Sequence, residues 1–284
     1  MSEKKQPVAK GILTDVTKCI GCERCVEGCV RQHKLPADPP AHFKADDGLS
    51  AYRYTSIRKI KGKNPGEWRM VRKQCLHCNE PSCAAVCLVS AFDKNSDGSV
   101  TYNADKCIGC RYCMLGCPFS NVRYQYDNPL PYVGKCKMNE DCRVPGGMPA
   151  CVSACPTGAT VYGPREELIK EARRRIKENP DRYIDYIYGE HDFGGTSVIY
   201  ISDVPINDAI DMPSPEKLDA IRVPQLKKHS IPHLLHSWVL VAPIQFFAVA
   251  GSLFGIKFLQ RRSRLMQERA LKKQEKENPT ETEV

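Results

Sequence analysis

Beyond residue 155 the chain has no cysteine at all, although sixteen lie between residues 19 and 155 of its 284. A disulfide-stapled secreted scaffold is shorter and spreads its bridges more evenly, so that class is excluded. Aromatic residues are scarce at 8%, and glycine and proline are plentiful, so the cysteine-rich part has little apolar bulk for a core. Something other than hydrophobic burial must hold it together, as metal does in small cysteine-rich domains. There is no phosphate-binding glycine loop, no dinucleotide fingerprint and no nucleophile triad, which argues against substrate chemistry on this chain alone. The formal charge of +9 comes without a basic stripe interleaved with aromatics, so nucleic acid is not an expected partner. An acidic protein or anionic lipid suits that charge better. The opening MSEKKQPVAKG has no apolar stretch and no twin arginine, so no export signal is expected there.

What the chain does have is a repeat. Cys19, Cys22, Cys25 and Cys29 share the spacing C-x2-C-x2-C-x3-C with Cys107, Cys110, Cys113 and Cys117, and both runs begin Cys-Ile-Gly-Cys. A second group, Cys75, Cys78, Cys83 and Cys87, is two residues longer in the middle. The fourth, Cys136, Cys142, Cys151 and Cys155, is irregular.

Thiolate sulfur is a soft ligand for zinc or iron–sulfur clusters, and the spacing separates the two. Zinc sites favour C-x2-C pairs parted by a longer loop. A cysteine at every third residue wraps three sulfurs around one cubane, and the fourth reaches the neighbouring cube, often with proline after it. Cys117-Pro118 and Cys155-Pro156 keep that proline; Cys29-Val30 and Cys87-Leu88 do not. The crossover rule pairs groups two and three. Cys75, Cys78, Cys83 and Cys117 then hold one 4Fe-4S cluster, and Cys107, Cys110, Cys113 and Cys87 a second. Groups one and four fold around that inner pair. Cys19, Cys22, Cys25 and Cys155 form a third site, and Cys136, Cys142, Cys151 and Cys29 a fourth. Four clusters account for all sixteen thiols.

The rest of the chain divides around this region. Residues 1–11 form a tail, and 12–162 the cluster domain, with 75–117 as inner pair and 19–29 with 136–155 as outer pair. Within it, Tyr52–Ile60 and Trp68–Lys73 read as a hairpin, and Ser99–Tyr102 as a strand. In the 163–232 region, Pro164 opens a helix to about Asn179 with an apolar stripe of Leu168, Ile169, Ala172 and Ile176. Acids early and arginines late complement its dipole. Ser197–Ser202 reads as an apolar strand, and 203–232, rich in proline, as an extended surface connection. Ser237–Ile256 lacks charge for a length sufficient to cross a bilayer, so a transmembrane helix is expected over 234–258. Trp238 sits near one end, as interfacial aromatics do, and the basic residues that follow put the 259–284 tail in the cytoplasm. The cluster domain would then face the periplasm as part of a single-pass inner-membrane protein; retention on the cytoplasmic face is the rival placement. His77 reads as a packing residue ahead of a potential-tuning one. Tyr112, Tyr124, Tyr126 and Tyr132 read as core and interface aromatics. His233 and His236 suit either a helix end or a partner's haem.

The arrangement resembles the four-cluster ferredoxin-like beta subunits of anaerobic respiratory enzymes, of the HybA, Hmc and formate dehydrogenase type. The resemblance rests on Cys75-Leu76-His77-Cys78-Asn79-Glu80-Pro81-Ser82-Cys83, on Pro149-Ala150-Cys151 and on Cys155-Pro156-Thr157-Gly158-Ala159. It implies an α+β fold of two intertwined bacterial-ferredoxin-like modules, each with two 4Fe-4S clusters, plus one C-terminal transmembrane helix. It also implies an electron relay between a catalytic oxidoreductase subunit and an integral membrane quinone-reactive or cytochrome subunit. A general polyferredoxin and a zinc-binding membrane protein without redox activity are the alternatives. The family's fourth group starts C-x2-C, whereas this chain has Asn139 at that place and Cys142 three residues on. A loop change that returns Cys142 to the same iron is expected; a 3Fe-4S cluster beside three 4Fe-4S is the alternative.

Overall fold

The computed structural model describes residues 8–36, 46–127 and 132–212, with short helical pieces at 255, 257–259 and 261. The chain forms two compact units, one of 1–107 with 111–236, the other of 108–110 with 237–284. Among the described residues no helix is long and apolar enough to cross a membrane. The 234–258 span and its flanking histidines lie almost wholly outside the described residues.

In the first unit, a three-stranded sheet of order β8-β1-β9 joins the start of the cysteine region to the segment after it. Here β1 is Lys10–Asp15, β8 is Thr160–Pro164 and β9 is Val198–Ile201. β1 runs antiparallel to β8, with Leu13 opposite Val161, and parallel to β9, with Leu13 opposite Ile199. Side chains alternate across a strand. Leu13, Ile199 and Ile201 therefore meet helix α5 (Arg165–Glu178), which turns Leu168, Ile169, Ala172 and Ile176 inward. Ile12, Val198 and Tyr200 face the other way, into a core shared with Cys136 and, at its edge, Cys75, Cys78, Cys117 and Cys151. The sheet thus carries the cysteine layer on one face and a helix on the other.

The expected hairpin is β2 (Thr55–Lys61) and β3 (Trp68–Gln74), paired along their whole length. Its first strand starts later than Tyr52 because Ser50 and Arg53 bridge to each other in a turn. Smaller hairpins, β4 (Phe92–Lys94) with β5 (Val100–Tyr102) and β6 (Arg123–Tyr124) with β7 (Val133–Gly134), flank the inner cysteines. The surface connection expected after residue 202 is corrected over its described part. Ile206, Ala209, Ile210 and Met212 are buried in the same core as Ile12, because their apolar spacing matches one turn of helix.

Four helices bear the third cysteine of each group: α1 (Arg24–Gln32), α2 (Ser82–Ala85), α3 (Tyr112–Leu115) and α4 (Ala150–Ser153). α1 packs on α4, and α2 on α3, so groups one and four associate, as do groups two and three. Each pair combines two kinds of start. α1 and α3 begin after a left-handed residue, Glu23 (φ 56°) or Arg111 (φ 64°). α2 and α4 begin after an extended proline, Pro81 or Pro149.

One glycine sets the approach of α1 to α4. A Cβ on Gly28 would lie 3.1 Å from the Ala150 carbonyl oxygen and 3.2 Å from the Ala154 Cβ. Gly116 occupies the matching place after α3, with Val86 at 3.0 Å. Overpacking of this sort costs about 1–3 kcal/mol. Gly28→Val is therefore expected to lower the temperature at which cluster absorbance bleaches, while exposed Glu27→Ala leaves it near that of the unchanged protein.

Candidate metal centre

Each cysteine group opens on one kind of turn. The residue before the second ligand position is left-handed in all four: Gly21 (φ 72°), His77 (φ 52°), Gly109 (φ 76°) and Met138 (φ 53°). Glycine adopts that conformation freely, and the two other residues carry a local strain that their surroundings must offset. The fourth group has kept the turn and placed Asn139 after it. A 3₁₀ turn, Glu140–Cys142, then folds the chain back. Cys142 Sγ accepts a hydrogen bond from the Met138 amide at 3.1 Å, returning the sulfur to the turn it would otherwise have left. The three-residue displacement is absorbed locally.

The thiols gather across the sequence. None of the sixteen is in a disulfide. Cys75, Cys78, Cys83 and Cys117 line one cavity with Pro81 and Phe119. Burial pushes the Cys78, Cys83 and Cys117 thiols up, and in each case Cys75 adds to the effect. Cys87, Cys107 and Cys113 share a core with Phe92, Val100 and Tyr124, and the Ala91 amide donates to Cys87 Sγ at 3.2 Å. Cys110 belongs to the other compact unit, so the motif alone associates it with these three.

The outer groups interleave in the same way. Burial, and then proximity to Cys155 and Cys22, raises the Cys19 thiol. Burial raises Cys29 to about 12, with Cys151 and Cys142 adding to it. Cys136 is raised by burial and then by Cys142, Cys151 and Cys29. Burial also pushes Cys155 up, but hydrogen bonds from Thr157, Thr160 and Ala159 outweigh it and hold that thiol below its ordinary value. Thiols of the first and fourth groups thus lie in reach of one another: Cys19 of Cys155, Cys25 of Cys151, and Cys29 of Cys142 and Cys151.

Sulfurs of other groups also lie within electrostatic reach of one another: Cys136 of Cys75 and Cys83 of Cys113.

Does this environment suit an iron–sulfur cluster? Cys75, Cys78, Cys83 and Cys117 ring one cavity. Buried donors also lack acceptors: Nε and Nη1 of Arg72 and Nε2 of His77. A buried unsatisfied donor costs about 1–3 kcal/mol, which an anionic cluster with inorganic sulfide would offset. The chemistry of the lining fits. His77 is wholly buried, and its Nδ1 accepts from the Val100 amide at 2.9 Å, which leaves Nε2 as the donor. Tyr124 is buried under Arg111, whereas Tyr126 and Tyr132 are exposed.

Two residues escaped the sequence reading. His33 Nε2 lies 3.2 Å from Cys142 Sγ; its place one helical turn beyond Cys29 was the available signal. Arg72 Nη2 lies 3.0 Å from Cys151 Sγ. Nothing in the sequence distinguishes Arg72 from Arg69 or Lys73, which face carboxylates.

Residues 66–165 match the 4Fe-4S dicluster domain. HybA, the hydrogenase-2 operon protein of Escherichia coli O157:H7, is 32% identical over 277 residues, covering 84% of this chain and 83% of HybA. This chain belongs to the HybA and formate dehydrogenase iron–sulfur subunit family. The formate dehydrogenase iron–sulfur subunit of Haemophilus influenzae is 34% identical over 208 residues, covering 70% of this chain and 65% of that subunit. A protein of Nitratidesulfovibrio vulgaris is 42% identical over 212 residues, and there the match spans 69% of this chain but only 55% of the relative. As a family member the chain is an iron–sulfur protein with 4Fe-4S clusters and a ferredoxin-like domain.

The fold-back at Cys142 has a direct consequence. Cys142→Ser is expected to convert one 4Fe-4S signal to a three-iron signal in anaerobically purified protein, measured by electron paramagnetic resonance. Adding Asn139→Cys to that variant, which restores C-x2-C at the same turn, is expected to recover the four-iron signal.

Proposed function

We propose that the chain is a membrane-anchored relay carrying four 4Fe-4S clusters. Electrons pass between a catalytic oxidoreductase subunit and an integral membrane quinone-reactive or cytochrome subunit. The carrying observation is that thiols of separate groups are brought together: Cys75, Cys78 and Cys83 line one cavity with Cys117, and α1 packs on α4 as α2 does on α3. The four proposed sets then form a row from Cys19 to Cys113. The sets are the crossed ones: Cys19, Cys22, Cys25 and Cys155; Cys136, Cys142, Cys151 and Cys29; Cys75, Cys78, Cys83 and Cys117; Cys107, Cys110, Cys113 and Cys87. A bound cluster supplies one-electron transfer, while the protein holds the spacing and adjusts each potential by burial and hydrogen bonds to sulfur.

Both ends of the row are open to a partner. Cys22 is exposed, and Ile20 beside it is 64% exposed; at the other end Leu115, on the helix of Cys113, is 75% exposed. Exposed apolar side chains beside the terminal sites are what docking surfaces need. The names of the relatives, a hydrogenase operon protein and formate dehydrogenase subunits, support a hydrogenase-like or formate-dehydrogenase-like catalytic partner. The uncharged 237–256 stretch supports an anchor, and the basic residues after it support a periplasmic cluster domain with a cytoplasmic C-terminus.

Iron and acid-labile sulfide analysis of anaerobically purified protein tests the cluster load. About sixteen of each per chain is expected from four cubanes; zinc without sulfide would refute the reading. Placement is tested separately by protease treatment of intact spheroplasts. Digestion of the cluster domain is expected, and full protection would put it on the cytoplasmic face.

A further inference from the structure

Arg72 is the largest fully buried side chain in the described fold, at 2% exposure. It projects from β3 with no carboxylate in ion-pair range among the described residues. Its neighbours on the hairpin are treated differently. Lys73 pairs with Asp47 at 2.6 Å and also with Asp211, Arg69 reaches Asp203 with Nε at 2.9 Å, and Arg58 reaches Asp211 at 3.2 Å. Among the described residues, Arg72 Nη2 meets Cys151 Sγ and the amide oxygen of Gln74, while Nε and Nη1 have no partner. An isolated guanidinium is costly to bury, and it stays charged because it cannot be deprotonated in a protein. Something anionic must therefore compensate it.

The ionisable groups in electrostatic reach are Cys151, Cys25, Tyr200 and Cys136. Burial holds the Tyr200 hydroxyl in its neutral form, which leaves the thiols, of which Cys151 lies 3.0 Å from Nη2. Cys25 belongs to the first set of the row, and Cys151 and Cys136 to the second. Arg72 thus reaches thiols of both outer sets, and its strand packs against residues 16–18, just before Cys19. Resting on the four-cluster reading above, we propose that Arg72 is a shared counter-cation for the two outer clusters, a positioning residue that makes both easier to reduce. A thiolate-bound cubane is anionic in both oxidation states and gains one negative charge on reduction, so a fixed positive charge favours the reduced form. One side chain would then adjust two consecutive steps of the relay together, and its fork would also hold Cys151 against the second cluster.

The test is potentiometric titration of the full chain, followed by electron paramagnetic resonance, for Arg72→Met and Arg72→Lys; the signal altered by Cys142→Ser identifies one of the outer clusters. Arg72→Met is expected to weaken reduction of both outer clusters at least ten-fold, about 59 mV for a one-electron step, with the inner clusters shifted less than two-fold. Arg72→Lys, which keeps the charge, is expected to shift them less. Iron and sulfide are measured in the same samples. A full load with unmoved outer potentials, or an equal shift at all four clusters, overturns the proposal; a missing outer cluster in the unsubstituted protein overturns the four-cluster reading and this one with it. If Arg72→Met does not retain its clusters, the unsubstituted protein labelled with ¹⁵N in its arginine guanidino groups decides. Pulsed resonance is expected to show nitrogen coupled to an outer cluster, and no coupling there overturns the proposal.

Discussion

The fourth cysteine of each group lies four residues beyond the third, carried there by a helical turn, and most of the architecture depends on that displacement. Four residues of helix advance about 6 Å, too far for one turn to close all four sulfurs on the cubane it began. On the proposed reading each group borrows a sulfur from another and lends its own. This exchange requires α1 against α4 and α2 against α3, and it explains why small residues, Gly28 and Gly116, stand immediately before Cys29 and Cys117. It also lets a chain with few aromatics form a defined interior, since bonds to a cluster substitute for apolar area.

Around that exchange the later parts of the chain act as a brace. Residues 194–201 return to the cysteine layer: the Asn79 amide donates to the Gly195 carbonyl, the Ser197 amide donates to the Leu76 carbonyl, and β9 completes the sheet beside β1. The loop carrying Cys75, Cys78 and Cys83 is therefore held from outside by residues more than a hundred positions away. Charge is arranged with equal economy. Lys135 is buried and donates to the carbonyls of Val100 and Cys136, close enough to lower the Cys83 thiol against the upward push of burial. Arg72 serves the outer sites, so positive charge is embedded along the row of thiols.

The parts legible in the sequence were those governed by local periodicity or ligand spacing. The α5 stripe and the β2–β3 hairpin follow from intervals of a few residues, and the crossed grouping of cysteines is proposed from spacing of the same kind. Asn139 and Cys142 were legible as a departure, but the compensation was not: it depends on the left-handed turn at Met138 and a hydrogen bond to sulfur. His33 and Arg72 were missed because their importance comes from distant sulfurs, 109 and 79 residues away in sequence. The burial of Ile206 and Ile210 was missed because the prolines of that stretch suggested an extended connection.

The central claim is that the sixteen thiols are shared between groups and hold four clusters in a row. Anomalous diffraction at the iron absorption edge from crystals of the anaerobically purified protein tests it most directly. The account predicts four cubane iron sites, each bonded to three sulfurs of one group and one of its partner group, with Cys142 bound in the fourth. Clusters each bound by the four cysteines of a single group, or an iron held by Asn139 in place of Cys142, would contradict it.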